Sequence, residues 1–267
     1  MRPTVMLETL RGQRRVLSGW SIGLTCLVGM YAGIYPSMRG TASYTDIIDR
    51  MPDTVRALFT AGGGGDVTSG PGYLYVELLS FMAPLLVLLY AISSGASAVA
   101  GEEDRHTLDL LLANPISRRR LVVERFAALS AGLLGLCATL TVAVIALGAA
   151  AGMGLSTVNV LATMLNLAML GAVFGALALA IGCRTGLVGV SRAAAALCAV
   201  LAYLVSGLGV TVFWLRQVRP ASPFYQYLGH DPIRHGARLI DIAVPLLTIT
   251  VLVLIAIALV EHRELRG

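Results

Sequence analysis

Long charge-free stretches alternate with short arginine-bearing ones along this chain. Between Arg15 and Arg39 lie 23 residues without formal charge, and between Glu77 and Glu102 lie 24. The interval from Arg125 to Arg184 is 58 residues; Arg192 to Arg216 leaves 23 and Asp241 to Glu261 leaves 19. A helix of about 20 apolar residues, rising roughly 1.5 Å per residue, crosses about 30 Å of hydrocarbon. The 58-residue interval is too long for one crossing and suits two, with a turn near residues 152–159, where glycines and polar side chains cluster. The pattern predicts an all-α integral membrane protein. Six spans are expected at about 17–35, 76–100, 126–150, 158–183, 193–213 and 242–260, in a single transmembrane domain covering residues 1–267.

The segments between the spans carry their own signals. Leu7, Leu10 and Val16 interleave with Glu8, Arg11, Arg14 and Arg15, which predicts an N-terminal interfacial helix lying on the membrane before span one. Residues 36–73 are expected to hold a short helix near Thr45–Phe59 and a glycine linker at Gly62–Gly65. Pro84 interrupts span two and is expected to kink it, because proline removes a helical hydrogen bond. Residues 214–241 combine Pro220, Pro223 and Pro232 with Phe224, Tyr225 and Tyr227, a composition suited to a partly buried interfacial segment. Gly19 and Gly23 in span one, and Gly171 and Gly175 in span four, are spaced four apart and mark candidate close helix approaches.

Composition supports the membrane reading: 57% of residues are hydrophobic and 13% charged, about half the charge of a soluble domain. Six spans put both termini on one side. That side carries 13 of the 20 arginines, so the positive-inside bias makes it cytoplasmic in a plasma (inner) membrane. The four cysteines fall within or at the cytoplasmic ends of spans, a pattern that implies no disulfide framework. All 20 basic residues are arginine and none is lysine, so the chain cannot supply the lysine of a P-loop. If ATP drives this protein, another chain hydrolyses it.

The segment from Gly101 to Arg125 is the most distinctive. Glu102, Glu103 and Asp104 would occupy the first turn of a helix, where acids complement the dipole. Leu108, Leu111 and Leu112 follow as one apolar stripe. Asn114-Pro115 ends it, and Ser117 can cap the helix leading into span three behind Arg118, Arg119 and Arg120. The stripe reads as a docking knob for a cytoplasmic partner, or as an amphipathic linker with its leucines in the headgroups.

With these residues, the segment resembles the cytoplasmic coupling region of ABC-2 type transporter permeases, the membrane subunits of bacterial ABC exporters. Glu103, Thr107, Leu108, Leu111, Leu112, Pro115, Ser117 and Arg118 match that pattern. His106 stands where the family usually has glycine, and Arg125 near a position often held by lysine. The stretch Ser222–Ile233 and the ending His262-Arg263-Glu264-Leu265 agree as well. The resemblance implies a six-span half-transporter that pairs with a second permease, identical or homologous. It further implies two ABC ATPase subunits docked on the cytoplasmic coupling helix, which bind ATP and magnesium while this chain binds no cofactor. The leucine stripe with Glu102 and Glu103 would transmit the motion.

Other classes fit less well. None of His106, His230, His235 and His262 lies within a span, no His-Glu-x-x-His site occurs, and no Gly-x-Ser-x-Gly elbow is present. The sequence therefore points away from an enzyme, and nothing in it points to nucleic acid. Ion-coupled carriers bury ionisable groups near the midplane, whereas here Glu77, Glu124 and Asp241 sit at predicted span ends. An apolar or amphipathic small molecule, peptide or lipid is the expected cargo. An ATPase-coupled scaffold or sensory module, or a secondary carrier, is the alternative.

Overall fold

A computed structural model of the chain describes residues 5–39, 50–59, 68–101 and 117–261. Most of the described residues are helical, and six of the helices are long and apolar enough to cross a membrane. The protein is a multi-pass all-α membrane protein.

The first helix, α1, runs unbroken from Val5 to Met38. The interfacial helix and the first span, expected as two elements, are thus one. Its first turns are held against the bundle: Tyr90 Oη donates to Gln13 Oε1 at 3.1 Å, and Arg125 Nη1 donates to Thr9 Oγ1 at 3.0 Å. A short helix, α2 (Asp53–Phe59), forms the described part of the next loop. The expected linker at Gly62–Gly65 lies outside the described residues.

Span two is built in pieces. Helix α3 (Gly70–Leu74) is capped by Ser69, whose hydroxyl accepts from Gly72 N–H. A π turn follows at Tyr75–Leu79, closed by Ser80 N–H donating to Tyr75 O at 2.8 Å. Phe81 then leaves helical geometry at φ −136° before α4 (Met82–Ser97) begins. Pro84 is the third residue of α4, where backbone N–H groups have no intrahelical acceptor, so it does not interrupt that helix. The break in span two lies upstream, at the π turn.

Helix α5 (Arg118–Ala150) is capped by Ser117, whose Oγ accepts from Arg120 N–H at 3.3 Å. The turn after it passes through Gly152 (φ 69°) and Gly154 (φ 64°), left-handed positions that suit glycine. Helix α6 (Thr157–Thr185) ends on Gly186 at φ 67°, and α7 (Val188–Leu208) follows after two residues. The fifth span therefore stops five residues short of the expected 213. Three short helices, α8 (Phe213–Val218), α9 (Pro223–Leu228) and α10 (Pro232–His235), lead to the last span, α11 (Leu239–Glu261).

Helix α6 is the hub. Of its most apolar stretch, 72% is buried, against 17% for each of α1, α7 and α11, and it packs on α4, α5, α7 and α11. Its contact with α4 is set by glycine. A Cβ added to Gly95 would overlap the carbonyl oxygen of Gly175, so the two backbones touch with no side chain between them. The main core of the bundle includes Leu78, Ala83, Val87, Leu133, Leu140, Leu167 and Ala178. The outward faces of α1, α7 and α11 carry exposed Ile22, Leu201 and Leu247, as lipid-facing surfaces do.

Candidate functional site

At the arginine-rich end, the stems of the segment 102–116 are tied to the bundle. Arg192 Nη2, in the first turns of α7, donates to the hydroxyl of Ser97, the last residue of α4. The neighbouring Ser191 hydroxyl donates to the Ala178 carbonyl on α6. On the other stem, Arg120 Nε pairs with Glu124 Oε1 at 2.7 Å, and Arg125 reaches Thr9 on α1. The exposed ones among these contacts contribute roughly 0–1 kcal/mol each. Their effect is to set where the stems stand.

Of the sequence-predicted coupling residues, Ser117 caps α5 and Arg118 begins it. Glu102, Glu103, Thr107, Leu108, Leu111, Leu112 and Pro115 lie outside the described residues, as does the ending from His262 to Leu265. The glycines divide into two pairs. A Cβ at Gly171 would come 2.8 Å from Leu133 and 3.0 Å from Val87, and one at Gly175 would come 3.0 Å from Leu129. At Gly19 and Gly23 a Cβ would meet nothing within 4 Å, so those two glycines open away from their own bundle.

At the opposite end, residues 213–238 do not merely line the interface. Helix α9 enters the bundle and buries Phe224, Tyr227 and Leu228 against α6. Tyr227 Oη donates to the Leu79 carbonyl at 3.1 Å, and Tyr75 Oη to the Leu228 carbonyl at 3.4 Å, so the π turn and α9 hold each other. Asn159 Nδ2, in the first turn of α6, donates to the carbonyls of Ile233 and Arg234 at 3.2 and 2.9 Å. Ser222 Oγ and Arg219 Nε donate to the Ala202 and Ser206 carbonyls near the end of α7. Irregular backbone at membrane depth survives only when its polar groups are met in this way.

A polar chain closes this end. The Arg219 guanidinium lies 4.8 Å from the Tyr225 ring centre, Tyr225 Oη is 3.3 Å from His230 Nε2, and His230 Nδ1 is 2.7 Å from Asp241 Oδ1. Asp241 is 1% exposed in the first turn of α11, where the helix dipole favours a carboxylate. Asp231, next to His230 in sequence, adopts φ 49° and faces Arg234 at 3.5 Å. Burial pushes the Asp231 carboxyl up, against the lowering pull of Arg234 and His235. Sequence reasoning missed the inserted helix and the His230–Asp241 pair. The signal was present in the alternation of prolines with aromatics, since aromatic residues so close together need a core to enter.

Between α4 and α7 runs an apolar groove of about 230 Å³. Its walls include Pro84, Leu88, Ile92 and Ala199, and Phe81, Tyr203 and Phe224 form a ring cluster along it, at centroid distances of 6.0 and 5.3 Å. Among the described residues no three His, Cys, Asp or Glu side chains converge as metal ligands would. The geometry is that of a packed helical bundle with a tied frame at one end, an inserted plug at the other and an apolar recess between them.

No curated protein matches the chain. The family profile described as ABC-2 family transporter protein matches residues 37–261, from the end of α1 to the end of α11. That match covers most of the chain, with the inserted segments described above, and the chain belongs to the ABC-2 family of transporter membrane proteins.

Proposed function

We propose that this chain is the permease subunit of an ATP-driven exporter, with ATP hydrolysed by a separate ABC ATPase docked on residues 102–116. The observation that carries the reading is the position of that segment. It connects α4 to α5, and both helices pack on the hub α6. A partner that displaces the segment moves both helices against α6, and Arg192 extends the pull from Ser97 to α7. Leu108, Leu111 and Leu112 supply the apolar contact, with Glu102, Glu103, Thr107, Pro115, Ser117 and Arg118 shaping its ends.

The complex contains two ATPases and two permeases, the second permease a copy or a homologue. Gly19 and Gly23 lie on the open face of α1, where a second permease could approach. The arginine-rich end and both termini face the cytoplasm, and the membrane is the plasma (inner) membrane. The cargo is an apolar or amphipathic small molecule, peptide or lipid. The charge-free spans support this, because an ionic cargo would need buried partners along its route.

The test is the double variant Leu111→Asp/Leu112→Asp, purified from membranes in mild detergent. The proposal expects correct insertion and loss of the co-purifying ATPase. An ATPase retained at the wild-type ratio would remove 102–116 as the docking segment.

A further inference from the structure

The inserted segment begins and ends on exposed apolar pairs that take no part in its packing. At its start Phe213 and Trp214 are 80% and 69% exposed, and at its end Leu239 and Ile240 are 88% and 59% exposed. We propose that the two pairs, each with its neighbouring arginine, anchor the inserted segment in the phospholipid headgroup zone of the leaflet opposite residues 102–116.

Local folding turns these side chains outwards. Helix α8 starts at Phe213, just after α7 ends at Leu208, and buries Leu215. Phe213, Trp214 and Arg216 are left outside. The first turn of α11 buries Asp241 against His230, and Leu239, Ile240 and the preceding Arg238 stay exposed. Each end therefore presents two large apolar side chains and one guanidinium within a single turn.

Their depth follows from the spans. Phe213 follows the end of span five and Leu239 opens span six, so both pairs stand where hydrocarbon gives way to headgroups. In that zone an apolar body leaves water while an arginine lays its stem on apolar surface and reaches a phosphate. Hydrocarbon alone would strand Arg216 and Arg238, and water alone would hydrate four large apolar side chains. A protein partner fits less well, because the cores of protein interfaces are depleted in charge. The two pairs also sit on different spans, so their partner must extend across the end of the bundle, as a headgroup layer does.

Both anchors are joined to the inserted helix. On the α8 side, Arg219 Nε holds the Ser206 carbonyl and Gln226 Nε2 of α9 donates to the Pro220 carbonyl at 3.3 Å. On the α11 side, Asp241 holds His230 in the turn that follows α9. The depth of α9 in the bundle is thus referred to the surface of that leaflet.

The chain has two tryptophans, Trp20 and Trp214, so Trp20→Phe leaves Trp214 as a single fluorescent reporter. The full chain is placed in phosphatidylcholine nanodiscs containing lipid spin-labelled either on the headgroup or at the end of an acyl chain, and separately exposed to aqueous iodide. The proposal expects the headgroup label to quench Trp214 several-fold more than either of the other two. Should Trp20→Phe fail to insert, the difference between wild type and Trp214→Phe isolates the same signal. Leu239→Trp in the Trp20→Phe/Trp214→Phe background reports the second pair and should give the same order of quenching. Strongest quenching by iodide would put the pairs in water, and strongest quenching by the chain-end label would put them in hydrocarbon. Quenching by none of the three would mean that protein, such as a second copy, covers them. Each of these results would overturn the proposal. For the anchoring itself, Phe213→Ser/Trp214→Ser should raise backbone hydrogen exchange across residues 223–228 several-fold in nanodiscs, and unchanged exchange there would overturn it.

Discussion

Gly95 and Gly175 meet backbone to backbone where α4 crosses α6, and the space between them does not admit a methyl group. This crossing fixes the distance between the hub helix and the helix that leads into residues 102–116. Gly95→Ala should therefore force the helices apart and lower stability by about 1–3 kcal/mol, the usual range for overpacking. Gly19→Ala, on the open face of α1, should leave the stability of the isolated chain unchanged or slightly raised. Thermal unfolding of both variants in detergent checks the contrast, and equal losses would count against the crossing as the controlling contact.

His230 is the partner of a carboxylate that has almost no access to solvent. Removing it with His230→Ala leaves the Asp241 carboxyl buried without its imidazole partner, which should cost about 1–3 kcal/mol. The double variant His230→Ala/Asp241→Asn should recover part of that loss, because the carboxyl that lost its partner is gone. A double-mutant cycle on unfolding free energies measures the coupling.

Asp231 sits at φ 49°, where asparagine is tolerated and β-branched side chains are not. Asp231→Asn should fold normally, and Asp231→Val should loosen the connection to α10. The carboxyl also has a pH signature. Its folded-state pKa is raised by burial, so its contribution to stability is full below the ordinary value of about 3.9 and is lost as pH rises through the raised one. The wild type should therefore lose stability over that window relative to Asp231→Asn. Melting temperatures of the two proteins across pH 4 to 7 give the comparison, and parallel curves would contradict it.

Tyr227 ties the inserted helix to the π turn through its hydroxyl. Tyr227→Phe leaves the ring in place and removes only the donor to Leu79, for an expected loss of roughly 1–2 kcal/mol. Backbone hydrogen exchange should rise at residues 75–81 and 223–228 together. A rise in only one of the two would show that they do not support each other.

Much of this architecture was readable from the chain. Charge-free length, with the glycine turn that splits its longest interval, located the six spans, because hydrocarbon forbids irregular backbone that faces lipid. The turn at 152–156 announced itself through Gly152 and Gly154, and Ser117 caps α5 as its place after Pro115 predicts. Local signals gave less where tertiary contacts decide. Arginines on the first turns of α1 suggested a helix lying on the surface, but Gln13 and Thr9 bond to Tyr90 and Arg125 and hold those turns in line with the span. Pro84 looked like the kink of span two, yet the irregular turn belongs to Tyr75–Leu79, where the Tyr75 and Tyr227 hydroxyls meet carbonyls of distant segments. The burial of α9 also depends on partners far along the chain, Asn166 and Leu79 among them, which no window around Phe224 contains.

The central claim is that a separate ATPase drives this permease. Its most direct test is affinity purification of the tagged full chain from mild detergent, in a host that also expresses its neighbouring genes, followed by mass spectrometry. The account predicts a Walker-A-containing protein recovered in a one-to-one ratio with the permease. A pure permease with no such companion would contradict it.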